Sequence, residues 1–348
     1  MKEALVAPGV VVRIVDSPIP EPNDDQVLIK VIVSGSNPKD WKVPEMVKQE
    51  RNEGDDIAGV VEKVGANVFE FKPGDRVAAF HQMITPHGSY AEYAIAWAHT
   101  TFHLPAKTTF EEAATIPLAG MTATLGLYRS LALPSPWDPQ PSTTHPLLIY
   151  GASSAVGYFA LQLALHSNIH PLILVAGNAK DYLEPLIDRS KGDTILDYRE
   201  GADALLANIR AALAGRPLFH AFDAISEQGS PQLIGKVLAA EAGPAGEKSK
   251  VTFVQGLFGP MEGLPEYVQQ VVTKVNDVHM DEGREFGFVW FRYLARGLSE
   301  GWFRAQRVTV REGGLGGVQK ALLDLKEGRV SGMKFVFRIG ETEGVERE

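Results

Sequence analysis

The chain has 348 residues, is 45% apolar, carries a formal net charge of −9 and contains no cysteine. That length exceeds the roughly 250 residues at which single cores stop growing, so two domains with sizeable cores are expected. The acidic balance, with no run of Lys and Arg, argues against nucleic-acid and anionic-membrane partners, and the missing thiols exclude disulfides, thiolate catalysis and Cys-based zinc sites.

A cytoplasmic enzyme is the simplest expectation. The apolar run in the opening MKEALVAPG is too short for a signal peptide, and no stretch approaches the roughly 20 apolar residues of a membrane span. Residues 1 to about 118 read as β-rich, with runs at Val10 to Val15, Val27 to Val33, Ile57 to Val64, Arg76 to Phe80 and Tyr90 to Ile95 separated by Gly, Pro, Asn and Asp turns. Such spacing predicts a partly closed barrel.

From about residue 119 the pattern alternates strand and helix, which predicts a parallel sheet with crossovers. Strands are expected at Leu147 to Tyr150, Leu172 to Val175, Thr194 to Leu196, Phe219 to Ala224 and Val251 to Val254, with helices at Tyr182 to Ile187 and Ala204 to Leu213. The Pro-rich stretch Pro134 to Pro146 and the stretch Ala242 to Lys250 read as solvated loops. Helices at Phe286 to Leu298 and Leu315 to Lys326 and a closing strand from Lys334 to Ile339 complete the chain, and this tail is expected to return to the first domain.

The stretch from Leu147 to Gly157, LLIYGASSAVG, reads as strand, turn, helix. Unpaired N–H groups at such a helix start attract an anion, and small residues let a phosphate approach. Against the dinucleotide fingerprint G-x-G-x-x-G/A the nearest frame is Ala152-x-Ser154-x-x-Gly157, with one glycine of three in place and Gly151 just ahead. The phosphates would then meet Ser153, Ser154, Ala155, Val156 and Gly157. An ordinary βα turn with Ser154 as a helix cap fits the same residues.

Six segments, in order, resemble the zinc-independent branch of the medium-chain dehydrogenase/reductases, which includes quinone oxidoreductases and the trans-acting enoyl reductases of fungal polyketide pathways. Asn37-Pro38-Lys39-Asp40 is similar to an N-P-x-D turn, Gly54 to Gly59 to G-x-D-x-x-G, and Phe71 to Val77 to F-x-x-G-D-x-V. Gly88 to Tyr93 is similar to G-x-[FY]-A-E-Y, and Ile116 to Ala123 to the helix joining the two domains. Gly313-Gly314-Leu315 together with Gly328 to Lys334 resembles the closing helix and strand.

The resemblance covers nearly the whole chain. It implies an α/β fold: an N-terminal chaperonin-10-like β-barrel domain, residues 1–118 and 280–348, with an inserted Rossmann doubly wound parallel sheet domain, residues 119–279. It also implies a nicotinamide cofactor, with contacts from Gly177, Asn178, Leu257, Phe258 and Lys334 besides the phosphate turn.

Zinc-dependent relatives place a Cys and a His where this chain has Asn37 and Asp55, so no metal is expected. His99 and His103 are four apart and His81 lies six before His87, but two His without a third placed ligand seldom make a site, and packing or surface roles fit them.

NAD enzymes carry an acid about 20 residues past the fingerprint. Here that region reads Val175 to Lys180 without a carboxylate and with Lys180, which favours NADPH. Tyr198 matches a family position that reaches the same 2′-phosphate. A solvated surface role fits Lys180 equally.

Without zinc there is no Lewis acid to bind an alkoxide, whereas conjugate reduction needs only hydrogen-bond donors to a developing enolate. The expected activity is therefore NADPH-dependent hydride transfer to an activated C=C bond, in an enone or enoyl thioester, or to a quinone. Alternatives are one-electron quinone reduction and nucleotide binding without turnover. Donor candidates are Lys42, matching a lysine of the enoyl-reductase branch, and Thr122; Lys42 also reads as a solvated loop residue and Thr122 as a self-satisfied helix residue. Asn37, Trp41, Phe258, Phe286 and Trp290 are expected near an apolar substrate pocket. A free or carrier-bound substrate and a monomer or homodimer are equally compatible with the sequence.

Overall fold

The computed structural model describes residues 1–138, 146–227, 229–243, 246, 248–254 and 261–346. The chain forms two compact units, Met1–Met121 with Asn276–Glu348, and Thr122–Val275. The boundaries expected at 118 and 280 lie a few residues from these.

Along the chain the strands are β1 (Lys2–Ala7), β2 (Val11–Asp16), β3 (Gln26–Gly35), β4 (Asp56–Val64), β5 (Arg76–Phe80), β6 (Tyr93–Trp97) and β7 (Thr101–His103). The next six are β8 (Leu147–Tyr150), β9 (Leu172–Ala176), β10 (Thr194–Asp197), β11 (His220–Asp223), β12 (Lys250–Phe253) and β13 (Gln269–Val272). Two more, β14 (Val308–Arg311) and β15 (Lys334–Arg338), close the chain.

In the first unit a seven-stranded sheet runs β14-β15-β3-β4-β5-β7, with β6 also paired to β3. Strand β3 is long and almost wholly buried, as the apolar run VLIKVIVSG dictates for a strand covered on both faces. Two register shifts against β4, at Leu28/Ile29 and Val31/Val33, bend the pair and let the sheet curl around a core that includes Ile29, Val31, Ile57, Tyr90 and Phe337. Strand β15 pairs antiparallel with β3, Val336 opposite Gly35, so the tail does return to the first domain. The run at Val10 to Val15 does not join this sheet; β2 pairs only with β1 and keeps Val11 and Ile14 exposed.

The second unit is a six-stranded, all-parallel sheet in the order β10-β9-β8-β11-β12-β13. The order reverses between β8 and β11, and the carboxyl ends of strands at such a reversal are where doubly wound sheets bind ligands. Helix Ala155–His166 buries every residue from Gly157 to Ala164, as expected of a helix apolar all round. The helix predicted from Tyr182 to Ile187 is cut short to Lys180–Leu183 followed by a 3₁₀ turn, because Pro185 cannot continue the α-helical ladder. Strand β13 has no strong apolar pattern and was not foreseen. No helix among the described residues is long and apolar enough to cross a membrane.

The histidines weighed as metal ligands are used for packing in the first unit. His81 Nδ1 bonds Ile95 O at 2.7 Å, His99 Nε2 bonds Val278 O at 3.0 Å, and His103 Nε2 bonds Glu70 O at 3.3 Å. His279 Nε2 bonds Phe80 O at 3.2 Å, with its ring 5.9 Å from that of His99. Burial disfavours the imidazolium and pushes His81 and His99 down to about 4 and His279 down to about 3.

A pH dependence of stability follows. The folded state holds these rings neutral while the unfolded chain protonates them near pH 6.5, so their stabilisation is complete above about pH 6.5 and is lost as pH falls towards 4. The urea midpoint should therefore drop between pH 6.5 and pH 5, before most carboxylates titrate, by up to about 1.4 kcal/mol per pH unit for each histidine. A midpoint that stays level across that window would contradict the buried neutral assignment.

Candidate active site

In the second unit β8 ends at Tyr150 and the chain turns through Gly151 at φ +80°. The tight-turn glycine thus stands one position ahead of the fingerprint frame, which explains why Ala152 is tolerated in the frame itself. A Cβ on Gly157 would lie 2.2 Å from Gly151 O, so only glycine lets helix Ala155–His166 start this close to the strand. Ser154 caps that helix, its Oγ accepting from Gly157 N at 3.1 Å, which leaves its hydroxyl proton and the amides of Ala155 and Val156 for an anion. Ser153, Ser154, Ala155 and Val156 are all partly exposed. Cap and phosphate cradle are compatible roles of the same turn.

At the ends of β9 and β10 a second cluster forms. The Tyr198 ring lies against Gly177, where a Cβ would meet Tyr198 Cε1 at 2.7 Å. Sequence reasoning found no acid at the end of β9, but the structure brings one in from β10: Asp197 lies 3.8 Å from Lys180 Nζ. Its charge is offset by Arg199, which donates through Nε at 2.8 Å and through Nη2, and which also donates to Asn178 Oδ1. Hydrogen bonds from Arg199 hold the Asp197 carboxyl well below its ordinary range. Lys180 and Arg199 are the two cations of this cluster, with Asp197 between them. Arg199 was not singled out from the sequence; its spacing two residues after Asp197 was the available signal for this pair.

In the first unit the N-P-x-D turn has a clear physical logic. Pro38 sets φ −57° just ahead of helix Lys39–Val47, and Asp40 Oδ2 reaches back to accept from Asn37 N at 2.7 Å and from Tyr90 OH at 2.5 Å. The Asn37 amide donates through Nδ2 to Asp56 Oδ2 at 2.6 Å and accepts at Oδ1 from Lys334 Nζ at 3.1 Å. Asp56 pairs directly with Lys334 and accepts from Leu118 N at 2.7 Å through Oδ1. Lys334, expected at the cofactor, has its ammonium engaged by Asn37, Asp56 and Thr115 O.

Asp55, at the other position where zinc-dependent relatives carry a ligand, faces Lys39. The Lys39 ammonium lies 2.5 Å from Asp55 Oδ2, 3.1 Å from Asp40 Oδ1 and 3.2 Å from Glu53 Oε2. Burial works against that ammonium, but the carboxylates of Asp55, Asp40 and Glu53 outweigh it and hold Lys39 protonated. Burial pushes the Asp55 carboxyl up to about 8, against the pull of Lys39. Among the described residues no group of three or more His, Cys, Asp or Glu is arranged to hold a metal ion.

The remaining expected residues are placed as follows. Lys42 lies 5.4 Å from the centre of the Trp41 ring, which Lys326 approaches at the same distance, and Trp41 packs against the core of the first unit. Phe286 and Trp290 lie on helix Asp281–Glu300 with ring centres 5.9 Å apart, and Trp290 is buried against Tyr293. Thr122 is buried in helix Pro117–Thr124, at the start of the second unit. Leu257 and Phe258 lie outside the described residues.

Known proteins match this arrangement. The alcohol dehydrogenase GroES-like domain family matches residues 23–106. A trans-enoyl reductase of Gibberella fujikuroi is 48% identical over 308 residues, 88% of this chain and 89% of that protein. A trans-enoyl reductase of Aspergillus sclerotiorum is 32% identical over 363 residues, covering 96% and 98%. A mycobacterial protein solved with NADPH shares the fold, with a TM-score of 0.75 at 22% identity over 97% of this chain and 99% of that one. Barrel, parallel sheet and these relatives agree: the chain belongs to the trans-enoyl reductases, in the zinc-independent branch of the medium-chain dehydrogenase/reductases.

Proposed function

We propose that the protein uses NADPH to reduce the activated carbon–carbon double bond of an enone or enoyl thioester, in the cytoplasm and without a metal. The relationship to trans-enoyl reductases over 88% of the chain is the observation that carries this reading. The cofactor half is supported by the glycine-only approach of Gly157 to Gly151 and by the placement of Lys180 and Tyr198 together at the ends of β9 and β10.

Bound NADPH would supply a hydride to the β-carbon of the acceptor. The turn from Ser153 to Gly157 would hold the pyrophosphate at the positive end of its helix, through the Ala155 and Val156 amides and the Ser154 hydroxyl, with Gly157 allowing the close approach. Lys180 and Tyr198 take the 2′-phosphate, Arg199 holds Asp197 and Asn178 beside them, and Gly177 and Asn178 line the approach to it. Lys42 and Thr122 act as donors to the oxygen on which charge develops, and Asn37, Trp41, Phe286 and Trp290 belong to the substrate pocket. Water delivers the proton to the α-carbon.

The test is reduced-nicotinamide absorbance over a panel of enones, enoyl thioesters and quinones. Enones and enoyl thioesters should be consumed at the same rate before and after prolonged chelation, because Asn37 and Asp55 are committed to Lys334 and Lys39. Loss of rate on chelation, restored by zinc, would overturn the family branch. Binding to NADPH with no acceptor turned over would instead point to a nucleotide-binding protein.

Cofactor choice gives a second expectation. NADPH should bind at least tenfold more tightly than NADH, about 1.4 kcal/mol, as one charge-assisted contact is typically worth. Equal dissociation constants by fluorescence titration would remove the assignment at Lys180 and Tyr198.

For Lys42, replacing a preorganised donor typically costs roughly 10² to 10³ in turnover. Lys42→Ala should fall within that range in kcat, with the NADPH dissociation constant unchanged; an unaltered kcat would exclude Lys42 from the donor set.

A further inference from the structure

We propose that Asn37 is a catalytic residue that donates a hydrogen bond from its side-chain amide to the carbonyl oxygen of the acceptor, and that Lys334 and Asp56 are positioning residues that aim and polarise this amide. The proposal rests on the reading of the protein as a double-bond reductase and adds to it a donor held by the Lys334–Asp56 pair.

Asn37 is held more completely than a pocket-lining residue requires. It is only 3% exposed, its backbone N–H is bound by Asp40, and its side chain is bound at both ends. The orientation of the amide is dictated by its neighbours: the NH₂ faces the Asp56 carboxylate and the oxygen faces the Lys334 ammonium. A flipped amide would set donor against donor and acceptor against acceptor. One Nδ2 proton goes to Asp56, and the second has no partner among the described residues. A buried donor left without a partner is costly, and such groups call for an explanation.

The neighbouring cations cannot take that role. The three protons of Lys334 go to Asn37 Oδ1, Asp56 Oδ2 and Thr115 O. Lys39 is surrounded by Asp40, Glu53 and Asp55. Asp56 cannot swing away, because its second oxygen accepts from Leu118 N. What this assembly leaves over is a fixed N–H on an amide whose oxygen is drawn upon by an ammonium, which strengthens the N–H as a donor. The ion pair carries no net charge, so the site attracts a neutral carbonyl and still stabilises it as it becomes negative.

The chemistry balances without a proton from Asn37. Addition of hydride to the β-carbon forms a C–H bond and moves the π electrons of the C=C bond onto the carbonyl oxygen, giving an enolate. Asn37 holds that oxygen and keeps its proton; the α-carbon is protonated by water, and the nicotinamide leaves oxidised.

The experiment reads the carbonyl directly and does not depend on turnover. The infrared carbonyl stretch of a saturated ketone is measured when bound to the protein carrying oxidised NADP. In the wild type it should lie at lower wavenumber than for the same ketone in hexane. Asn37→Ala should return most of the shift and lower kcat roughly 10²-fold with the NADPH dissociation constant unchanged. Lys334→Met should return part of the shift, which a purely structural role for Lys334 would not do. Asn37→Ser, which keeps an oxygen facing Lys334, replaces Asn37→Ala if the latter does not fold. An unshifted carbonyl in the wild type, or a shift that survives both Asn37 variants, overturns the proposal. A shifted, Asn37-dependent carbonyl in a protein that reduces no acceptor would retain the donor and defeat only the reductase reading.

Discussion

The first unit depends on one buried ion pair, Lys334 with Asp56. The two residues come from the start of β15 and the start of β4, 278 positions apart, and both side chains are almost fully removed from water. An ion pair so deep is no free gain in stability, since desolvation of both charges offsets much of their attraction, and removing either partner would strand the other. Its value is geometric. Through Asn37, Leu118 and Thr115 it fixes two further segments, so the N-P-x-D turn and the stretch Thr115 to Leu118 are aligned with the G-x-D-x-x-G strand and the closing strand by one set of contacts.

The same economy explains why two motif acids in direct succession do different work. Asp55 and Asp56 are neighbours in the sequence, one just ahead of β4 and the other its first residue, but their carboxylates meet different partners. Asp55 joins the Lys39 cluster and Asp56 joins Lys334. In zinc-dependent relatives a metal ion would organise this region; here two lysine ammoniums, Lys39 and Lys334, occupy the centres of the two clusters.

Much of this architecture was legible in the sequence because its signals are local. The apolar run of β3, the alternation after residue 119 and the LLIYGASSAVG turn each reflect periodicity or backbone constraint within a dozen residues. The parts that escaped are contacts between distant segments. Nothing near Lys334 announces its partner Asp56. The Asp197–Arg199 pair was visible as two charges, but its meaning came from the parallel pairing of β10 with β9, which sets Asp197 beside Ala176 and hence near Lys180. Strand β13 escaped because QQVV at a sheet edge carries too little apolar signal.

The pairing of β15 with β3 also bears on the order in which the chain acquires structure. The second unit is contiguous in sequence, and its six-strand sheet is complete once residue 272 has left the ribosome. The first unit is not: Gly35 must wait for Val336, and Asp56 stays without its counter-ion until Lys334 is made. Contacts of such sequence separation are slow to form, because a long loop must close before any of them is gained. The inserted sheet needs no residue beyond Val272, and once folded it shortens the effective loop that β15 must span.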